Sequence, residues 1–398
     1  MNQPQRLYAL DNLRAAVMWL GIVLHVSLNH LTATNTSAPW HDRATSVVAD
    51  LTLLFIHAFR MPVFFILAGF FVAMLVEQRG YAGMLKHRLR RIGLPFLIFW
   101  LPLVAGTIVL VMLYVHMMVY GTPGFDPTIM PHDSSHPAIN TMHMWFLYYL
   151  LWFCALTALL GRLGKFLPDA VKTAVSRAWH TLATHWWGFL VLAIPLGLLG
   201  ELTKIGLVQA SGSFMPHFDE IIQNGIFFAF GCYLYPYRET VLQRYAKSCW
   251  LYAAAGMFFF IVFLGLSKRF QGNPEAIPYI KDWLAFSYGC ASWLWSFALI
   301  GAFLRYLPTQ NRLLRYLSDS SYWVYLVHML GTIGFGVLLY NAPFNALTKM
   351  LINISATTAT CLLTYQLLVR YTAIGTLLNG RRLRLGQKQG AGKEMPAV

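Results

Sequence analysis

Ten stretches of this chain are each apolar and long enough to be read as crossing a bilayer, and nothing else in the sequence constrains the fold as strongly. They cover 13–31, 47–76, 95–119, 143–161, 186–199, 221–235, 250–266, 283–303, 322–339 and 347–368. A helix rises about 1.5 Å per residue, so roughly 20 apolar residues traverse the ~30 Å hydrocarbon layer. Backbone polar groups in lipid find no water and must bond internally, which favours helices for runs of this kind. The expected fold is therefore all-α, a polytopic transmembrane helix bundle of about ten spans. The runs 186–199 and 221–235 are short, so one pair of spans stays open. Composition agrees: 57% of the 398 residues are hydrophobic and 11% are charged, far from the balance of a soluble domain.

A formal net charge of +15 would suit a nucleic-acid binder, but the positions of the charges argue otherwise. Arg79, Lys86, Arg88, Arg90 and Arg91 follow the second run; Arg162, Lys165, Lys172 and Arg177 follow the fourth. Arg238, Arg244 and Lys247 follow the sixth, and Arg305, Arg312 and Arg315 the eighth. Arg381, Arg382, Arg384, Lys388 and Lys393 close the chain. The alternate connections hold only Arg43, Lys204, Lys268, Arg269, Lys281 and Lys349. Under the positive-inside rule both termini are cytoplasmic and the number of spans is even. The basic excess encodes topology and implies no nucleic-acid partner.

Cys154, Cys232, Cys249, Cys290 and Cys361 lie in or beside predicted spans, without CxxC or Cys/His ligand spacing, so neither a disulfide framework nor a metal site is expected. The first apolar run is longer than a signal core and carries internal charge, which argues against a cleaved leader. Residues 1–380 read as one transmembrane domain and 381–398 as a basic, disordered cytoplasmic tail. The connection 120–142 has a loop composition and is placed to cover a site at the outer surface. In 161–185, Val171, Val175 and Trp179 are spaced for an amphipathic surface helix. No internal repeat and no matched pair of broken helices is evident.

The polar residues inside the apolar runs carry the functional signal, because an ionisable group in hydrocarbon costs on the order of several kcal/mol unless it pairs, lines a cavity or does chemistry. Arg14 and His25 are eleven residues apart, about 1100° of helical turn and ~16 Å of rise, which puts them on one face. Arg60 reaches the midplane from the opposite direction, at the depth of His25. A neutral imidazole that takes a proton from an attacking hydroxyl, beside a guanidinium that steadies an oxyanion, suits acyl transfer. Packing against backbone carbonyls is the structural alternative for both residues. His57 is spaced to orient Arg60, and Asp11 to pair with Arg14. The segment from Lys86 through Arg88 to Arg91 is either a topology signal or a phosphate site for an anionic cytoplasmic donor. His143 and Trp145 stand at the outer end of the fourth run, where a Trp either anchors the interface or stacks on a sugar. Tyr322, Tyr325 and His328 recur at three-residue steps, lining a tunnel or joining helices by hydrogen bonds.

Taken in order, several blocks resemble one known family. Leu10-Asp11-x-Leu13-Arg14 followed by His25 resembles the first helix of the acyltransferase family 3 membrane proteins. Phe59-Arg60-Met61-Pro62-Val63-Phe64-Phe65 with Ala68-Gly69, Arg88-x-x-Arg91 running into Gly93-Leu94-Pro95, His143-Met144-Trp145-Phe146 and Tyr325-Leu326-Val327-His328 are similar to its further signatures. The resemblance implies a multi-pass protein of the bacterial inner membrane that moves an acyl group, such as succinyl, from cytoplasmic acyl-CoA to a hydroxyl of a periplasmic glucan or other cell-envelope glycan. It implies His25 as catalytic base, with Arg14, Arg60, Arg88 and Arg91 in donor handling or catalysis. No permanently bound cofactor or metal is implied. The expected partners are membrane lipids, acyl-CoA, the glycan acceptor and other glycan-biosynthesis proteins. The rival readings are a proton-coupled transporter using the same His and Arg residues as a relay, and a non-catalytic scaffold.

Overall fold

The computed structural model describes residues 8–32, 38–129, 140–203, 205–275 and 277–380. The expected tail at 381–398 and part of the outer connection lie outside them. Every regular element among the described residues is helical. Helix α1 covers Tyr8–Leu28, α2 Val47–Arg88, α3 Leu94–Tyr120, α4 Trp145–Leu163, α5 Asp169–Thr184 and α6 Gly188–Gly197. Then follow α7 at Phe218–Leu234, α8 at Arg238–Gly272, α9 at Ile280–Tyr306, α10 at Arg312–Leu339, α11 at Ala346–Thr364 and α12 at Ala373–Asn379.

Seven described helical runs are long and apolar enough to cross a membrane, or eight if α5 and the segment Gly188–Leu202, bent by 104°, are taken as one broken span. These are counts of continuous helical runs, and they relate to the ten apolar stretches in two ways. Runs 47–76 and 95–119 fall within one helical stretch, Val47–Tyr120, bridged by a π-helical turn at Leu89–Gly93. The two short runs became α6, of 10 residues, and α7, of 17.

Local sequence explains where helices bend and begin. α2 kinks at Gly80, whose φ of 67° and ψ of 174° suit glycine and few other residues. Pro95 sits in the first turn of α3, where its missing N–H is no loss. Asn311, Asn345 and Thr372 cap α10, α11 and α12 by accepting from the backbone N–H of Leu314, Thr348 and Ile374. The amphipathic helix expected within 161–185 is α5, whose Trp179 stacks on Tyr233 with ring centroids 6.2 Å apart.

The chain divides into two compact units that interleave in sequence. The first takes 8–14, 58–89 and 145–310 of the described residues. Its centre is aromatic: Trp293 lies 4.2 Å from Phe227 and 5.1 Å from Phe230 between ring centroids, and Tyr245 stacks on Phe297 at 4.6 Å. α2 and α7 cross where both helices carry glycine. A Cβ on Gly69 would run into the carbonyl of Phe228, and one on Gly231 into the carbonyl of Ile66. Lipid supplies little hydrophobic drive between helices, so close backbone approach of this kind carries the packing. Gly69→Leu is expected to lower stability by about 3 kcal/mol, the upper end for overpacking. Its melting temperature in detergent, set against that of Gly83→Leu on the same helix, checks this.

The second unit takes 15–57, 90–144 and 311–380 of the described residues. One cluster joins Val111, Tyr114 and Val115 of α3 to Met329, Ile333 and Val337 of α10, with Trp40 and Tyr340. Another joins Ile22 and Val26 of α1 to Ala49, Val324, Met350 and Cys361. The segment between α1 and α2 is tied down by a buried ion pair. Lys349 Nζ donates to both carboxylate oxygens of Asp42, at 2.9 and 3.0 Å, and to the Tyr340 carbonyl at 2.8 Å.

Candidate functional site

Within the second unit, three histidines from distant parts of the sequence converge. The His25 ring on α1 lies 5.1 Å from that of His328 on α10, and His328 lies 5.7 Å, edge to face, from His143. Tyr325, one turn before His328, has its ring 6.2 Å from both His143 and His328. His328 is buried at 1% exposure, while His25 and His143 are half-buried. The ring of His25 thus packs against protein on the side of His328.

The neighbouring carbonyls fix two of the three tautomers. His328 Nδ1 lies 3.0 Å from the Val324 carbonyl and 2.8 Å from that of Tyr325, so it carries the proton and donates. Its Nε2 is then the basic nitrogen of the neutral ring. His143 is the reverse, with Nε2–H donating to the Leu326 carbonyl at 3.0 Å. The Tyr325 hydroxyl donates back to the His143 carbonyl at 2.9 Å, so residue 143 is pinned to α10 from both sides. Of the two readings of the Tyr322, Tyr325 and His328 series, this geometry displays the helix-joining one. Tyr322 likewise donates to the Arg91 carbonyl at 3.3 Å.

The first unit gathers cations. Arg14 pairs with Asp11 at 3.3 Å, as the spacing predicted, and its guanidinium lies 5.6 Å from the Phe71 ring centre. Arg88 is buried at 8% exposure, and its Nε and Nη2 make no hydrogen bond. Arg14 is close enough to act on Arg88 electrostatically, as are Cys154 and Cys232. Two guanidinium groups in mutual range, one of them buried with unused donors, form a place suited to an anion with several oxygens.

Arg60 is buried at 6% exposure, with its guanidinium 5.8 Å from the Phe64 ring. Two residues on, Pro62 deprives the Ala58 carbonyl of its helical donor. Trp145 packs among the aromatic side chains of its own unit, 6.0 Å from Tyr149 and 6.4 Å from Phe65. In the second unit, His57 is half-buried on α2. Arg91 lies in the π-helical turn, and its Nη1 donates to the Thr376 and Leu377 carbonyls at 3.2 Å each, closing the end of α12. The spacing Arg88-x-x-Arg91 therefore holds one arginine of each unit.

No group of three or more His, Cys, Asp or Glu among the described residues is arranged to hold a metal. All five cysteines are free thiols.

An acyltransferase-domain family model, that of acyltransferase family 3, matches residues 7–368. The chain belongs to this family. Acyltransferase family 3 membership makes it an acyl-transferring membrane enzyme. It is 27% identical over 351 residues to glucans biosynthesis protein C of Escherichia coli O17:K52:H18 and of Shigella dysenteriae serotype 1, covering 84% of each chain. No solved structure matches it significantly.

The family blocks named from sequence all fall inside the matched region. What sequence reasoning missed is the polar clamp around Asn29, Asp42 and Lys349, ordinary residues of which Lys349 lies 307 positions beyond Asp42.

Proposed function

We propose that this enzyme transfers an acyl group, such as succinyl, from cytoplasmic acyl-CoA to a hydroxyl of a periplasmic glucan or related envelope glycan, with His25 as general base. The observation that carries the reading is the half-buried His25 set against His328 and His143 in a family-matched region. In the reaction, the His25 imidazole accepts the proton of the acceptor hydroxyl as its oxygen attacks the thioester carbonyl. The carbon–sulfur bond breaks, the acyl group becomes an ester, and the departing CoA thiolate takes the proton from His25. His143 and His328 pack beside the base. Arg60 supplies positive charge during transfer, and Tyr325 braces the wall on which His143 and His328 stand.

Arg14 and Arg88 hold phosphates of the donor at the cytoplasmic face, with Arg91 at the adjoining turn. The donor's flexible arm matches the ~16 Å that separates Arg14 from His25 along α1. The names of the relatives support a glucan acceptor, and Trp145 is the surface on which a sugar ring would stack. Both termini and the basic connections lie on the cytoplasmic side of a bacterial inner membrane in this reading.

Arg88→Met is expected to raise the KM for acyl-CoA about ten- to hundredfold with a smaller change in kcat, the range for losing a charged hydrogen-bond donor. The function itself is tested by mass spectrometry of envelope glycans from a deletion strain complemented with wild type or His25→Ala. An added acyl mass restored by wild type alone identifies acyl group and acceptor together. Identical glycans in all strains would refute the proposal.

A further inference from the structure

Four residues beyond His25 on the first segment, and four beyond His328 on α10, a buried hydrogen bond ties the two together; nearer the other end of α1, Trp19 Nε1 donates to the Leu317 carbonyl of α10 at 3.2 Å. Asn29 Nδ2 donates to the Thr332 carbonyl at 3.2 Å. The amide can face only one way. Asn29 Oδ1 accepts from Trp40 Nε1 at 2.9 Å, and an indole N–H never accepts, so Nδ2 is committed to Thr332. The same carbonyl accepts from Asn353 Nδ2 of α11 at 2.9 Å, and Thr357 donates to Asn353 Oδ1 at 3.0 Å. Trp40 is held in turn: the Asp42 N–H donates to the Asn29 carbonyl at 2.7 Å, and the Asp42 carboxylate is clamped by Lys349. Asn29, Thr332 and Asn353 are each 1% exposed, so these bonds have no competition from water.

Resting on the reading of His25 as base, we propose that Asn29, oriented by Trp40, is a positioning residue for the reaction. Helices in lipid slide against each other with little hydrophobic penalty, so polar contacts set their register. The clamp sits one turn from both His25 and His328 and fixes α1 against α10 at the level where the two rings meet. Asn29 touches neither substrate nor the reacting atoms; it acts through the placement of His25. Small displacements of a catalytic group lower turnover while leaving binding intact, and a 1 Å error reaches about a hundredfold.

The test uses full-length protein purified in detergent, with succinyl-CoA and glucan oligosaccharides as probes, and wild type, Asn29→Ala, Trp40→Phe and His25→Ala run together. Asn29→Ala is expected to lose about ten- to hundredfold in kcat, with KM for both substrates within about twofold of wild type. Trp40→Phe keeps the ring but lets the Asn29 amide rotate, and is expected to show a smaller loss of the same kind. Yield and melting temperature of the folded protein accompany each rate, since a purely structural role lowers these and leaves kcat per folded molecule unchanged. That pattern, or wild-type kcat in both clamp variants while His25→Ala is inactive, overturns the positioning role alone. Full activity in His25→Ala overturns the role of the base, and this inference with it.

Discussion

Asp42→Ala is expected to destabilise the protein by about 3–5 kcal/mol, the range for removing one partner of a buried ion pair. Lys349 is 2% exposed, and its ammonium has three donors. Two are spent on the Asp42 carboxylate and one on the Tyr340 carbonyl, so the charge is fully satisfied. Removing the carboxylate leaves the cation in the interior with a single neutral partner. The segment linking α1 to α2 loses its anchor at the same time. Asp42→Asn retains an acceptor without its charge and falls between wild type and Asp42→Ala. Replacing both residues together, Asp42→Leu with Lys349→Met, recovers most of the loss, because no charge is then stranded. Denaturant unfolding in detergent, followed by tryptophan fluorescence, measures the series. A loss below about 1 kcal/mol in Asp42→Ala would show that the pair is not shielded from water.

His25→Ala is expected to lower acyl transfer by a factor of about 10²–10⁴, the usual contribution of a positioned general base. That corresponds to roughly 3–5 kcal/mol of transition-state stabilisation. The loss falls on kcat, because donor recognition belongs to the arginines. Folding is little affected, since His25 is only half-buried and alanine is the better helix former. The contrast with Arg88→Met, where KM carries the change, separates the base from the donor site.

The helical character and the membrane class were legible in the sequence because they rest on local rules. Apolar length, charge asymmetry and the costliness of Arg14, His25 and Arg60 in lipid need no knowledge of tertiary contacts. Asp11 and Arg14 pair as their three-residue spacing predicted. The convergence of His143 and His328 on His25 was visible only as separate motifs, since nothing local states that a turn before α4 lies against α10. The clamp was invisible for the same reason: Asp42 and Lys349 are 307 positions apart, and Lys349 read merely as a connection residue. The interleaving of the two units, with α1 and α2 contributing to both, also leaves no local mark. Hydropathy also does not register that α2 continues through a π-helical turn into α3, so that two separate apolar runs share one 74-residue helical stretch.

The most direct measurement mixes purified protein in detergent with acyl-CoA and glucan oligosaccharides and follows free CoA and O-acylated product together, for wild type and His25→Ala. Equal amounts of CoA and ester from wild type, with neither above background from the folded His25→Ala protein, are the predicted result. Ester formation at the wild-type rate without the imidazole would contradict the account.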